Sequence, residues 1–215
     1  MGHSGHSKYK DHMEHKTKVS EIIAKKQFEK LFKYNNFCIK EIINDKLIKK
    51  LLSCQKNDII KYVVNNIIDL EFEDEDGWRF IHYIMAYSNS EIIKHIIDKG
   101  IDLECQTSDG GRPIHFACRY QNKDTIGYIL KYNINMECET KNGWRPIHLI
   151  SRYQNSDVIK FAISKNMRID TKIRKFRNKE TNYGVKELVL ANVNNLEPKE
   201  ILEIIELLDN KFKEI

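Results

Sequence analysis

No run of about 18 apolar residues occurs anywhere in the chain, so no stretch reads as a membrane-spanning helix. The N-terminus also lacks the apolar core of a secretory signal. The expectation is a soluble intracellular protein, cytoplasmic, with the nucleus as the alternative address. Cysteine is sparse and odd in number: Cys38, Cys54, Cys105, Cys118 and Cys138 include no C-x-x-C pair. That spacing argues against both a zinc site and a disulfide framework, and the five read as small buried hydrophobes in a reducing compartment. There is no Gly-rich phosphate loop, no G-x-S-x-G and no H-E-x-x-H. Without such a constellation we expect no catalysis, no cofactor and no metal. Nor is there a strong charge of one sign. With 36 basic and 31 acidic residues the net charge is +5, mild beside a dedicated nucleic-acid binder. Proline is scarce, at three residues against abundant Ile, Lys and Asn, a bias that carries no function.

What the chain does have is an internal repeat. D-G-W-R-F-I-H starts at Asp76, D-G-G-R-P-I-H at Asp109 and N-G-W-R-P-I-H at Asn142, each 33 residues after the last. The register holds without insertion through Gly77/Gly110/Gly143, Arg79/Arg112/Arg145, His82/His115/His148, Tyr87/Tyr120/Tyr153 and Asn89/Asn122/Asn155. Each unit reads as two short helices and an extended return. The first helix starts at Pro113 or Pro146, where proline is tolerated because the first helical N–H has no partner. The second starts near Glu91, Asp124 or Asp157, acidic residues suited to a helix N-terminus. Ile92, Ile93, Ile96 and Ile97 give it an apolar face, and Gly100, Asn133 or Asn166 ends it by taking a left-handed cap.

These units resemble ankyrin repeats. The R-P-I-H segment stands where that family has T-P-L-H, and the 33-residue period, the turn Gly and the second-helix pattern coincide over residues 76–174. Phe80 replaces the proline in the first unit, and the family's small Ala-Ala pair becomes Ile84-Met85, Ala117-Cys118 and Ile150-Ser151. The resemblance implies an all-α solenoid of stacked helix-turn-helix units with β-turn tips. It also implies that the concave face grips a protein partner, by a monomer that needs neither nucleic acid nor membrane. In the family the residue after the turn Gly and two near the end of the first helix face that groove. Carried over, they are Trp78, Ala86 and Tyr87, then Gly111, Arg119 and Tyr120, then Trp144, Arg152 and Tyr153. Trp78, Tyr87, Arg119, Tyr120, Trp144, Arg152 and Tyr153 are the expected contacts, because Trp, Tyr and Arg combine large area with a polar handle. The two tryptophans are expected to be exposed.

Around repeats 76–108, 109–141 and 142–174 we expect three flanking parts. Residues 1–17 form a disordered tail in which His3, His6, His12 and His15 make two H-x-x-H pairs. Residues 18–75 form a helical cap with a helix over Val19–Tyr34 and a degenerate repeat at 43–75. Residues 175–215 join a basic insertion to a capping unit, with a last helix from Pro198 whose apolar stripe is Ile201, Ile204, Ile205 and Leu208. A histidine that recurs in every unit is expected to be structural. The arginine column is expected to pair with Glu73, Asp74, Glu75 or Asp76. The stretch Lys165, Arg168, Lys172, Arg174, Lys175, Arg177 and Lys179 offers the alternative reading, a nucleic-acid-associated or nuclear-targeted protein.

Overall fold

A computed structural model of the chain describes residues 22, 45–53, 55–66, 70–176 and 179–213. The His-rich tail, Cys38, Cys54 and nearly all of the helix expected over Val19–Tyr34 lie outside the described residues. Of that helix only Ile22 is described, helical and buried.

Among the described residues five helix pairs follow one another: α1 (Asp45–Leu52) with α2 (Asn57–Asn66), α3 (Phe80–Tyr87) with α4 (Ser90–Ile97), α5 (Pro113–Tyr120) with α6 (Lys123–Ile129), α7 (Pro146–Tyr153) with α8 (Ser156–Ser164), and α9 (Val185–Leu190) with α10 (Pro198–Lys213). The first members pack on one another in chain order and so do the second members, giving two parallel layers. One continuous apolar core lies between them. The reason is visible in α4, where Ile92, Ile93, Ile96 and Ile97 are all buried. Such a face cannot be covered by its own unit, and each of these side chains gains roughly 1.5–3 kcal/mol by burial against neighbours.

Backbone hydrogen bonds fix the unit's punctuation. The turns close by Gly77 N–H to the Asp74 carbonyl (3.0 Å), Gly110 to Thr107 (2.8 Å) and Gly143 to Thr140 (2.8 Å). Successive turns are then tied by Ser108 N–H to the Asp76 carbonyl, Lys141 to Asp109 and Arg174 to Asn142, each 2.8 Å. This stacking is why glycine is needed. Gly77 has φ +75° and a Cβ there would lie 2.9 Å from Ser108 N; Gly143 has φ +81° and a Cβ would lie 3.0 Å from Arg174 N. The second helices begin one residue before the acidic positions named from sequence, because Asn89, Asn122 and Asn155 are their N-caps, each Oδ1 accepting from the first turn. Gly100, Asn133 and Asn166 take positive φ as expected.

The histidine column is structural in geometry. Nδ1 of His82, His115 and His148 accepts the backbone N–H of Arg79, Arg112 and Arg145 at 2.9, 3.1 and 3.1 Å. With Nδ1 an acceptor, Nε2 carries the proton, and it faces the carbonyl of Cys105 (3.3 Å), Trp144 (3.1 Å) or Thr171 (3.1 Å). The arginine column pairs with nearby acids as expected, at Glu73 among those named, but its other partners differ. Arg79 pairs with Glu71 and Glu73, Arg112 with Glu104, and Arg145 with Glu137 and Glu139. These acids belong to the extended return just before the turn, whereas Asp74 is engaged by the amides of Asp76 and Trp78 and the hydroxyl of Tyr83.

Candidate partner-binding surface

Side chains of α5 and α7 and the three turns border a cleft of about 580 Å³. It gathers five of the seven residues named from sequence: Trp78, Arg119, Tyr120, Trp144 and Tyr153. Gly111 lies in it too, together with Phe116, Leu149 and the turn residues Asp76, Asp109 and Asn142. Phe176 completes the wall. It comes from a two-residue antiparallel hairpin, β1 (Lys175–Phe176) with β2 (Lys179–Glu180), inside what the sequence offers only as a basic insertion. The lone aromatic in Lys175-Phe176-Arg177-Asn178-Lys179 was the available signal for it.

The tryptophans are half-buried, not exposed. Trp78 packs against Phe116 of the next unit with ring centroids 4.4 Å apart and against Tyr83 at 5.0 Å. Trp144 lies against Phe176 at 5.7 Å, and its indole N–H donates to the Lys175 carbonyl at 3.1 Å, which anchors the hairpin. Each indole therefore covers the next unit with one face and lines the cleft with what remains. Tyr120 stays half exposed, at 50%. Arg119 is exposed and forms no ion pair among the described residues; its guanidinium stands over the rings of Tyr153 (4.4 Å) and Tyr120 (5.1 Å). Cation–π contact on two faces holds that charge in place without neutralising it.

The other two named residues sit apart from the cleft. Tyr87, 51% exposed, borders a neighbouring depression with Glu73, Asp74, Glu75 and Asp76. Arg152 donates to the Ala191 carbonyl at the end of α9, at 2.5 Å, because that helix end lies within its reach and leaves its last carbonyls unpaired. Ala86 is half-buried and lines neither depression. In the basic stretch, Arg168 is paired with Asp170 and Arg174 with Glu139, so part of its charge is already spent within the fold.

Titration behaviour separates the scaffold from this surface. Burial pushes His82 down to about 4, and His115 and His148 are lowered by the same cause. Burial raises Cys105 to about 12 and Cys138 to about 11, and pushes Cys118 up as well. Thiols so buried are poor nucleophiles. Among the described residues no group of three or more His, Cys, Asp or Glu side chains is placed to hold a metal ion, and no helix is long and apolar enough to cross a membrane.

A search among curated proteins finds no match. A family model described as ankyrin repeats in three copies matches residues 34–139 and, in a second register, residues 82–174. The two matches together span most of the chain and coincide with the stacked pairs, their stacked turns and their histidine column, and on that footing the chain belongs to the ankyrin-repeat family.

Proposed function

We propose that this protein is a non-catalytic interaction module that holds a partner protein in the cleft between the turns and helices α5 and α7. Ankyrin repeats in general serve protein–protein interaction, and the observation that carries the reading here is the composition of the cleft. Trp78, Tyr120, Trp144 and Tyr153 present aromatic surface around the uncompensated guanidinium of Arg119. Residues of these types dominate binding energy where they cluster. Arg152 and Tyr87 belong to the reading only as flanking contacts, since one is held by a backbone carbonyl and the other lies in the next depression. Cys105, Cys118 and Cys138 are free and buried, which suits an intracellular, reducing setting.

The test uses side chains that the fold does not need. Arg119 and Tyr120 are both exposed, so Arg119→Ala/Tyr120→Ala should melt close to wild type. The same variant should bind a partner captured from the source cells about 2 kcal/mol more weakly, the magnitude of a hot spot. Equal affinity for the folded variant would move the search to the convex face or to the basic stretch 165–179.

A further inference from the structure

The cleft exists because one unit lacks a tryptophan. In the first unit the indole of Trp78 covers Phe116 of the second, and in the third the indole of Trp144 covers Phe176 of the hairpin. The corresponding position in the second unit is Gly111. Leu149, which holds in the third unit the place of Phe116 in the second, forms part of the cleft lining and is 8% exposed. The opening is flanked by indoles on both sides and is wide enough for a large side chain with its backbone, within the roughly 300–1,000 Å³ of ordinary binding pockets.

Charge gives the opening a direction. Arg119 is the penultimate residue of α5, whereas Asp109 lies in the turn before that helix and Asp76 in the turn stacked on it. The Asp76 carboxylate has no partner among the described residues, and that of Asp109 is engaged by the Thr107 hydroxyl and the Gly111 amide only. An eight-residue helix is roughly 12 Å long, so a cation and an anionic pair face the cleft from ends about that far apart. An extended chain advances about 3.3 Å per residue and turns every second side chain to the same face. Residues i, i+2 and i+4 of such a chain would thus reach both ends of the cleft and its middle together.

We propose, building on the interaction reading above, that the cleft binds an extended segment of a partner protein. The segment places an aromatic side chain in the opening at Gly111, with an acidic residue two positions away toward Arg119 and a basic residue two positions away on the other side toward Asp76 and Asp109. The partner's ring takes the role that Trp78 and Trp144 fill in their own units, and the two flanking charges set which way the segment runs.

Two fluorescein-labelled peptides, containing Glu-Ser-Trp-Ser-Lys and Lys-Ser-Trp-Ser-Glu, are titrated with the full chain by fluorescence anisotropy, each beside its Trp-to-Ala counterpart. At least one of the two is expected to bind at least tenfold more tightly than its alanine control. Gly111→Trp should remove that binding. A Cβ at Gly111 would lie 2.9 Å from Thr107 Oγ1, so that hydroxyl must shift; the third unit holds Trp144 in the same turn as Thr140. Arg119→Glu, at a side chain without hydrogen bonds among the described residues, is a second variant that keeps the fold; it should shift preference toward a third labelled peptide containing Lys-Ser-Trp-Ser-Lys. No binding by either peptide, or binding indifferent to the tryptophan or to Gly111→Trp in a folded variant, overturns the proposal. If the captured partner is nonetheless weakened by Arg119→Ala/Tyr120→Ala, the interaction reading stands and only the aromatic occupant is lost. If neither partner nor peptide responds, both fall.

Discussion

Lowering the pH from 7 to 5 should destabilise the solenoid through its histidines. His82 is neutral by construction, since its Nδ1 accepts the Arg79 amide at 2.9 Å and a protonated ring would turn a donor against a donor. Burial is the main cause of its fall from the ordinary 6.5 to about 4; the nearby Arg79 charge adds to it, and the hydrogen bonds to the Cys105 and Arg79 backbones and the charge of Asp74 oppose it. In the unfolded chain the ring takes a proton near 6.5, so below that pH the unfolded state binds more protons and gains in free energy. The stability contributed is complete above about 6.5 and is lost progressively as pH falls toward about 4. At pH 5 the loss from His82 alone is roughly 2 kcal/mol, and His115 and His148, lowered in the same direction, add to it. Carboxylates held low by hydrogen bonds, such as Glu139 by Arg174 and Asp98 by Tyr128, contribute only at still lower pH. His95 is also lowered, by burial and then by Lys99 and Lys61, and a His95→Gln background removes it. Urea unfolding followed by far-ultraviolet circular dichroism at the two pH values should then show a drop of at least about 2 kcal/mol. His82→Gln should reduce the pH dependence. Equal midpoints at pH 7 and pH 5 would refute the assignment of these rings as neutral, buried acceptors.

Three further outcomes follow from the packing. Trp144→Ala should cost about 2–3 kcal/mol, less than a fully buried tryptophan, because it removes the contact with Phe176 and the hydrogen bond to Lys175; a urea midpoint equal to wild type would show that the hairpin does not depend on it. Gly143→Ala places a Cβ 3.0 Å from Arg174 N at φ +81°, and should cost roughly 1–3 kcal/mol, whereas Gly100→Ala, with positive φ but nothing within 4 Å, should cost about 1 kcal/mol; equal effects would mean that turn stacking is not what selects glycine. Truncation before Pro198 removes the buried Ile204 and Leu208 and uncovers α8 and α9, so the product should aggregate or melt markedly earlier, and a monomer of unchanged stability would make α10 an appendage.

The repeat and its helices were legible because they rest on local chemistry. Pro113 and Pro146 open helices, Gly100, Asn133 and Asn166 close them, and the Ile pairs of α4 mark a face. Less legible was what the polar columns do. Asn89, Asn122 and Asn155 stood out by their spacing, yet their capping role depends on a starting point for the second helix that acidic residues had placed slightly late. Gln121 and Gln154 reach back to carbonyls of the preceding unit, Met85 and Ser88 in one case and Cys118 in the other, contacts between units that no pattern within a unit discloses. The tryptophans were read as free surface because position relative to the turn says which way a side chain leaves the backbone and not what the next unit brings against it. Phe176 was passed over for the same reason, since only the hairpin carries it to Trp144.

The three units, compared with one another, divide their positions by task. Gly77/Gly110/Gly143, Arg79/Arg112/Arg145, His82/His115/His148 and Asn89/Asn122/Asn155 are the same in every unit. Each of these is tied to a neighbour by backbone geometry, a hydrogen bond or an ion pair that every unit repeats. Among the positions that change are Trp78/Gly111/Trp144, Tyr83/Phe116/Leu149, Ala86/Arg119/Arg152 and Asp76/Asp109/Asn142, and members of each line the cleft. A duplicated unit can hold its stacking columns constant and still vary the surface it presents, because the two sets of side chains leave the backbone on different sides. Tyr87/Tyr120/Tyr153 crosses the division, being constant and yet half exposed in its first two members. Its rings make no hydrogen bond that recurs from unit to unit; instead Tyr120 and Tyr153 form the platform under Arg119, and Tyr153 also stacks on Trp144 at 6.5 Å. Tyr120 and Tyr153 are therefore accounted for by the proposed cleft, where they fix in one place the charge by which a partner would be oriented, whereas Tyr87 stacks on Tyr83 beside the neighbouring depression.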